Sequence, residues 1–295
     1  MAALRTYNPS VRIGNWNEDI QLEEDTLKNF LEKRAKGELL IQKTHNLHAA
    51  MGKQLPLSVT QDFAVHFGDH VMIKCAAAQD QTKYFRDVNP RKDCVLALNV
   101  SDPNVLLEKN LSGPAGATGC MNISPNQRTV FRIEHPSGGF KGTKLTYGHP
   151  FYLVTVGENT GKMYLSSDKV TFNKCASKSR HQEVSFVPEP SFLTQWRVEH
   201  RNPLLRMEYE YEPVEANQEL IFVHCKTNQC LAVEQDFRHR TPFGGEYEIS
   251  AHTFLDSHKA EEDRNHFMIV EGVPGSSVEP VPEQGPPNSD FSTCP

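Results

Sequence analysis

Phe131-Arg132-Ile133-Glu134-His135 and Trp196-Arg197-Val198-Glu199-His200 nearly repeat each other, and Phe267-Met268-Ile269-Val270-Glu271 ends the last apolar run in the same style. Each alternates a large apolar residue with an outward one, the period-2 signature of a half-buried strand. The three segments recur at intervals of 65 and 71 residues, which points to one supersecondary unit used three times.

The repeat extends backwards from these closing strands. Phe67-Gly68-Asp69-His70-Val71 opens the first unit, Tyr147-Gly148-His149-Pro150-Phe151 the second and Ala216-Asn217-Gln218-Glu219-Leu220 the third. Gly68, Gly148 and Asn217 hold one position, three residues before the first inward apolar residue. Glycine, and more reluctantly asparagine, accepts positive φ, so each is expected in a tight turn that feeds a strand. Between opening and closing strands, Tyr164-Leu165-Ser166-Ser167 aligns with Cys230-Leu231-Ala232-Val233, and Glu183-Val184-Ser185-Phe186 with Glu248-Ile249-Ser250-Ala251. Four short strands per unit, over about 66–133, 146–198 and 215–269, predict an all-β fold. The expected architecture is a β-trefoil of three four-stranded repeats, in which barrel closure hides most strand edges. A β-sandwich with chance similarity between strands is the alternative. In unit one, Leu111 to Ala117 reads as a loop insertion. Met207-Glu208-Tyr209-Glu210-Tyr211-Glu212 alternates strictly between units two and three and is expected to form an extra or edge strand, its glutamates in water.

The flanks divide the chain into an N-terminal arm and helix (1–58), the β domain (59–271) and a Pro-rich tail (272–295). Residues 1–18 read as an extended arm, broken by Pro9, Gly14 and Asn15-Trp16-Asn17. Asp19 can cap a helix through about Lys36: Glu23, Glu24 and Asp25 sit early, Lys33, Arg34 and Lys36 late, and Gly37 stops it. Leu27, Phe30 and Leu31 make a narrow apolar stripe, so this helix must pack on something to be stable. Gln42 to Gln54 reads as a polar lead into the β region. The tail holds six prolines among Gly, Ser and Glu and is expected to be extended or disordered.

A net charge of −6 and a pI near 6.1 argue against nucleic acid as a partner and disfavour docking on anionic membrane or the acidic outer tails of a polymer such as tubulin. The longest apolar runs are strand-sized, too short for a membrane span, and the N-terminus has no apolar core of signal-peptide length. Seven scattered cysteines suit reduced thiols in an intracellular compartment.

Chemistry-bearing clusters are sparse. His224, Cys225 and Cys230, with His252, His258 and His266, are the densest metal-capable group. Strand alternation makes His224 and Cys225 diverge and places Cys230 beside the inward Leu231, so structural roles are the better reading. Ser166, Ser167 and Asp168 read as a tight turn, and no nucleophile elbow or phosphate-cradling loop occurs. No enzyme and no cofactor is expected. Trp196 takes the place of a phenylalanine in a closing strand and is expected in the core. Trp16, in the polar arm, either folds back or anchors a partner.

Several stretches resemble the family of cilia- and flagella-associated protein 161. They are Val11-Arg12-Ile13-Gly14-Asn15-Trp16-Asn17-Glu18-Asp19, Phe30-Leu31-Glu32-Lys33-Arg34 with Leu39-Leu40-Ile41-Gln42, Tyr164-Leu165-Ser166-Ser167-Asp168, Ala251-His252-Thr253-Phe254-Leu255-Asp256-Ser257-His258 and Arg264-Asn265-His266. Together the matches cover most of residues 11–270, with least likeness at about 76–126 and almost none after Glu271. The resemblance implies a MIR-like β-trefoil and a place inside the A-tubule of ciliary doublet microtubules. There it implies binding to tubulin and to other microtubule inner proteins, in support of motile cilia. It implies no catalytic set. Arg12, Asn15, Trp16 and Asn17 of the arm are the expected partner-binding residues. The rival readings are a glycan- or lipid-binding recognition module and a metal-dependent enzyme.

Overall fold

The period-2 segments become twelve antiparallel strands of one continuous, barrel-like sheet in a computed structural model that describes residues 16–75, 93–100, 114–157 and 161–272. Two helices precede them: α1 (Trp16–Lys36) and α2 (Leu40–Gly52). The strands are β1 (His70–Cys75), β2 (Cys94–Asn99), β3 (Ala115–Cys120), β4 (Phe131–Glu134), β5 (Tyr152–Thr155) and β6 (Tyr164–Ser167). They continue as β7 (Gln182–Val187), β8 (Trp196–His200), β9 (Glu219–His224), β10 (Leu231–Thr241), β11 (Gly244–Ala251) and β12 (Phe267–Val270). None of the described helices is long and apolar enough to cross a membrane.

Six strands close a ring. β1 pairs with β4, β4 with β5, β8 with β9, β9 with β12 and β12 with β1, while a bridge from Phe151 to Trp196 joins β5 to β8. The other six form the hairpins β2–β3, β6–β7 and β10–β11, whose second strands pair with one another. Registers match: Leu165 faces Phe186 and Leu231 faces Ala251.

Three backbone hydrogen bonds form a cycle at the base of the barrel. Val65 N–H donates to the Val214 carbonyl at 2.9 Å, Val214 to Leu145 at 2.8 Å and Leu145 to Val65 at 2.8 Å. The turns feeding the strands behave alike. Gly68, Gly148 and Asn217 have φ of 103°, 78° and 61°, the left-handed backbone expected of them. Their N–H groups donate to the carbonyls of Ile133, Val198 and Ile269 at 2.8, 2.9 and 2.8 Å. Phe131, Trp196 and Phe267 are all buried in one core, with Phe131 stacked on Phe186 at 5.4 Å. Trp196 also satisfies its indole N–H on the Leu165 carbonyl at 2.9 Å.

The repeated Arg-x-Glu has a local cause. Residues two apart share the outer face of a strand. Arg132 Nε meets Glu134 at 2.9 Å, and Arg197 Nε meets Glu199 at 3.0 Å.

Four expectations need correction. Residues 42–54 are largely helix, not a polar lead: α2 buries Leu47 and Met51 in the barrel core, and two apolar anchors one turn apart suffice for a docked helix. α1 starts at Trp16, so Trp16, Asn17 and Glu18 belong to the helix rather than to an arm. Ala115 to Ala117 are strand β3, not loop insertion, while 111–113 lie outside the described residues. Met207 to Glu212 make turns. The Glu208 and Tyr209 N–H groups donate to Leu205 and that of Glu212 to Tyr209, so local carbonyls take most of the bonds a neighbouring strand would need, while Tyr211 N–H donates to the Tyr147 carbonyl at 3.2 Å. The tail from 273 lies outside the described residues.

Candidate partner-binding surface

α1 is a well-punctuated helix. Glu18 and Asp19 occupy its first turn and Lys33, Arg34 and Lys36 its last, both favourable with the helix dipole. Gly37, at φ 73°, ends it: its N–H donates to Arg34 at 3.3 Å and that of Glu38 to Lys33 at 2.8 Å. Glu32 and Lys36 pair at 2.6 Å on the solvent side, and that contact holds the Glu32 carboxyl below its usual range.

Most of its described apolar residues stay largely exposed. Ile20, Leu27, Phe30 and Leu31 share a face at helical spacing, yet Leu27 is 59% exposed, Phe30 48% and Leu31 50%. On α2, Leu40 and Ile41 are likewise 68% and 83% exposed. Gln42 ties the two helices by donating to the Arg34 carbonyl at 3.1 Å and accepting from Leu39 N–H at 3.4 Å. Leu40, Ile41, Thr44, His45 and His48 border an open depression of about 400 Å³.

The opposite face of α2 is firmly seated. Besides Leu47 and Met51, His48 packs its ring on Phe243 at 4.8 Å. Arg128 covers Phe243 at 3.6 Å and forks onto buried Glu246 at 2.9 and 3.0 Å. Arg128 Nε also donates to the Leu98 carbonyl at 2.8 Å, and Thr118 donates to Glu246 at 2.7 Å. This buried ion pair is satisfied on every side, and it holds the platform from which the exposed helix face projects.

Of the four residues expected to bind a partner, Arg12 and Asn15 lie outside the described residues. Trp16 contributes the first residue of α1, and Asn17 is exposed in its first turn. Sequence reading flagged Leu27, Phe30 and Leu31 as needing cover; it missed Leu40 and Ile41. An apolar Leu39-Leu40-Ile41 directly after the Gly37 stop was the available signal.

The metal-capable residues are dispersed. Buried His224 uses both ring nitrogens, Nε2 on the Leu193 carbonyl at 3.0 Å and Nδ1 on Thr227 Oγ1 at 2.8 Å. A carbonyl only accepts, so Nε2 carries the proton. His252 stacks on His181 at 3.9 Å, and His266 sits 3.4 Å from Asp263. Among the described residues no cluster of three His, Cys, Asp or Glu has metal-binding geometry, and none of the six cysteines there forms a disulfide. Ser166 and Ser167 lie buried on β6, not in a turn, and Ser167 donates to the Glu183 carbonyl at 2.7 Å. A half-open cavity of about 290 Å³ lies between Phe67, Arg132, His135, Phe140 and Lys141.

Residues 43–272, from within α2 to the last closing strand, match the cilia- and flagella-associated protein 161-like domain. A zebrafish (Danio rerio) cilia- and flagella-associated protein 161 is 41% identical over 283 residues, covering 94% of this chain and 91% of that protein. The chain belongs to the cilia- and flagella-associated protein 161 family. The cattle (Bos taurus) protein of this name is 39% identical over 92% of this chain and 84% of its own length. The mouse (Mus musculus) protein is 38% identical over 92% of this chain and 90% of its own. Among solved structures, an SDF2-like protein from Arabidopsis thaliana covers 70% of this chain and 95% of its own at 14% identity and a TM-score of 0.48. A Caenorhabditis elegans protein of unknown function covers 72% and 98% at 15% identity and 0.49.

Proposed function

We propose that this protein is a non-enzymatic, structural component of motile cilia and flagella. In this reading it is a microtubule inner protein on the luminal wall of the doublet A-tubule, bound to tubulin and to neighbouring inner proteins in the axoneme. Family membership supports the ciliary assignment. The domain is read as a MIR-like β-trefoil of three four-stranded repeats. The cyclic hydrogen bonds among Val65, Leu145 and Val214 and the matched turns at Gly68, Gly148 and Asn217 support that architecture.

The observation that carries the docking role is the uncovered apolar face of α1. In proteins most of the stability of a helix such as this 21-residue one comes from tertiary packing of its apolar face rather than from propensity. Here the body of the protein supplies little of it, so a partner groove is the natural cover. A segment that orders on binding loses chain entropy, and repeated placement along a lattice compensates by multivalency. An acidic chain fits the lumen, away from the acidic outer tails, better than the outer wall.

The test is deletion of residues 1–36, followed by electron cryomicroscopy of doublets from cells expressing the truncated chain. The expected result is loss of its density from the A-tubule while the purified protein still melts cooperatively. Undiminished occupancy would remove α1 as the anchor. The cavity beside Phe67 and Phe140 favours a second reading, recognition of a glycan or lipid; a ligand that raises the melting temperature would support it.

A further inference from the structure

The chain carries a net charge of −6, yet one face of the barrel is basic. The loop between β6 and β7 places Lys169, Lys174, Lys178 and Arg180 against a single carboxylate, Asp168. Buried acceptors hold this loop on the β10–β11 hairpin. Glu248 accepts the Lys178 N–H at 3.0 Å and the Ser179 N–H at 2.8 Å, and His181 Nδ1 lies 2.5 Å from Glu234. The loop therefore lies beside Arg238 and Arg240, which share the exposed side of β10, and the Lys178 ammonium donates to the Arg238 carbonyl.

The patch has few counter-charges of its own. Exposed Asp236 pairs with Arg264 at 3.0 Å, and half-buried Asp168 lies 3.8 Å from Lys174. Glu234 and Glu248 lie beneath the loop with their oxygens engaged by Ser250, His181, His239 and the loop amides. Among the described residues, Lys178, Arg180, Arg238 and Arg240 form no ion pair with a carboxylate. In the same β6–β7 loop Phe172, 90% exposed, sits at the tip of a turn closed by Thr171 N–H on the Lys174 carbonyl at 3.0 Å.

Clustered cations without carboxylate partners repel one another, and an opposite surface relieves that repulsion while steering the encounter. Guanidinium forks suit carboxylates, and an exposed aromatic ring is a common interface anchor. The acidic balance of the whole chain disfavours extended polyphosphates and anionic bilayers, whereas a folded protein can present a local carboxylate cluster to one face only. We infer that this face docks on an acidic protein surface, with Arg180, Arg238 and Arg240 pairing to carboxylates and Phe172 inserting into an apolar recess beside them. This rests on the docking role proposed above but uses a face separate from α1, so the two can fail independently.

The full-length chain is titrated with a polyglutamate peptide, with a glutamate–leucine copolymer, with phosphatidylserine vesicles and with single-stranded RNA. Both peptides are expected to bind, more weakly as salt rises, with about tenfold loss in Arg180→Gln/Arg238→Gln/Arg240→Gln. Phe172→Ala is expected to weaken only the leucine-containing peptide. Because Arg238 also donates to the Tyr247 hydroxyl at 2.8 Å, Arg180→Glu/Arg240→Glu serves as a second variant with no such bond to lose. Lys33→Gln/Arg34→Gln in α1 removes charge elsewhere and should bind like the parent, and so should the chain lacking residues 1–36. Peptide binding unaffected by either patch variant overturns the proposal. So does a preference for vesicles or RNA, or self-association that the patch variants abolish.

Discussion

Arg128 and Glu246 are 4% and 2% exposed, and each depends on the other for its charge balance. Arg128→Ala strands a buried carboxylate and is expected to cost about 3–5 kcal/mol in urea denaturation, whereas Arg128→Met/Glu246→Leu recovers most of it. Backbone conformation sets a second cost. Gly68 has φ 103°, and a Cβ there would meet Lys141 Cγ at 2.8 Å, so Gly68→Ala should lose about 1–3 kcal/mol. Asn217→Gly, at φ 61°, should gain about 0.5 kcal/mol by the same measurement. Two buried groups bound the pH range. Burial raises the Glu271 carboxyl above its ordinary value, and its Oε1 has no partner while Oε2 accepts from Thr60 at 2.6 Å. The native state therefore holds this proton more tightly. Its contribution is full below the unfolded pKa and fades as pH rises through the folded value. Glu271→Gln should melt higher than the parent at neutral pH and match it near about pH 4. His224 has the opposite sign: burial lowers its pKa, so its contribution holds above about pH 6.5 and is lost as pH falls through the folded value. His224→Gln should flatten that acid limb in melting curves.

At the scale of elements, the two helices differ in what they bury. α2 contributes Leu47 and Met51 to the core, at 1% and 0% exposure. Leu47→Ala or Met51→Ala should cost about 2–5 kcal/mol and expose the barrel base to proteolysis. On α1, Leu27→Ala/Phe30→Ala/Leu31→Ala should leave the melting temperature within a degree or so, since these side chains bury little within the chain. On the docking role proposed above, the same triple change should release the protein from doublets in a salt-wash assay. Strict alternation proved a poor guide at Met207 to Glu212, whose amides mostly turn back on local carbonyls, whereas the alternating closing strands had neighbours on both sides.

For the whole molecule, ring closure makes the β domain one cooperative unit, because β1 and β12 join the ends of the barrel strands. Residues 40–272 should therefore unfold in a single transition, coincident by near- and far-UV circular dichroism. The surface carries two unlike features, the exposed apolar residues of α1 and α2 and the basic residues of β10 and the β6–β7 loop.

Local patterning determined the β class, the spacing of the closing strands, the left-handed turns at Gly68, Gly148 and Asn217 and the helix ending at Gly37. Each of these depends on residues near in sequence: pleat alternation, backbone freedom and helix-end charge. The N-terminal motif also pointed to the family. Tertiary structure alone decided the rest. Sequence could not say that Leu47 and Met51 dock while Leu27, Phe30 and Leu31 stay bare, because an apolar stripe looks the same whether a barrel or a partner covers it. Nor could it bring Arg238 and Arg240 beside Lys178 and Arg180, about sixty residues apart along the chain, since that patch exists only where β11 supplies the carboxylate that seats the loop.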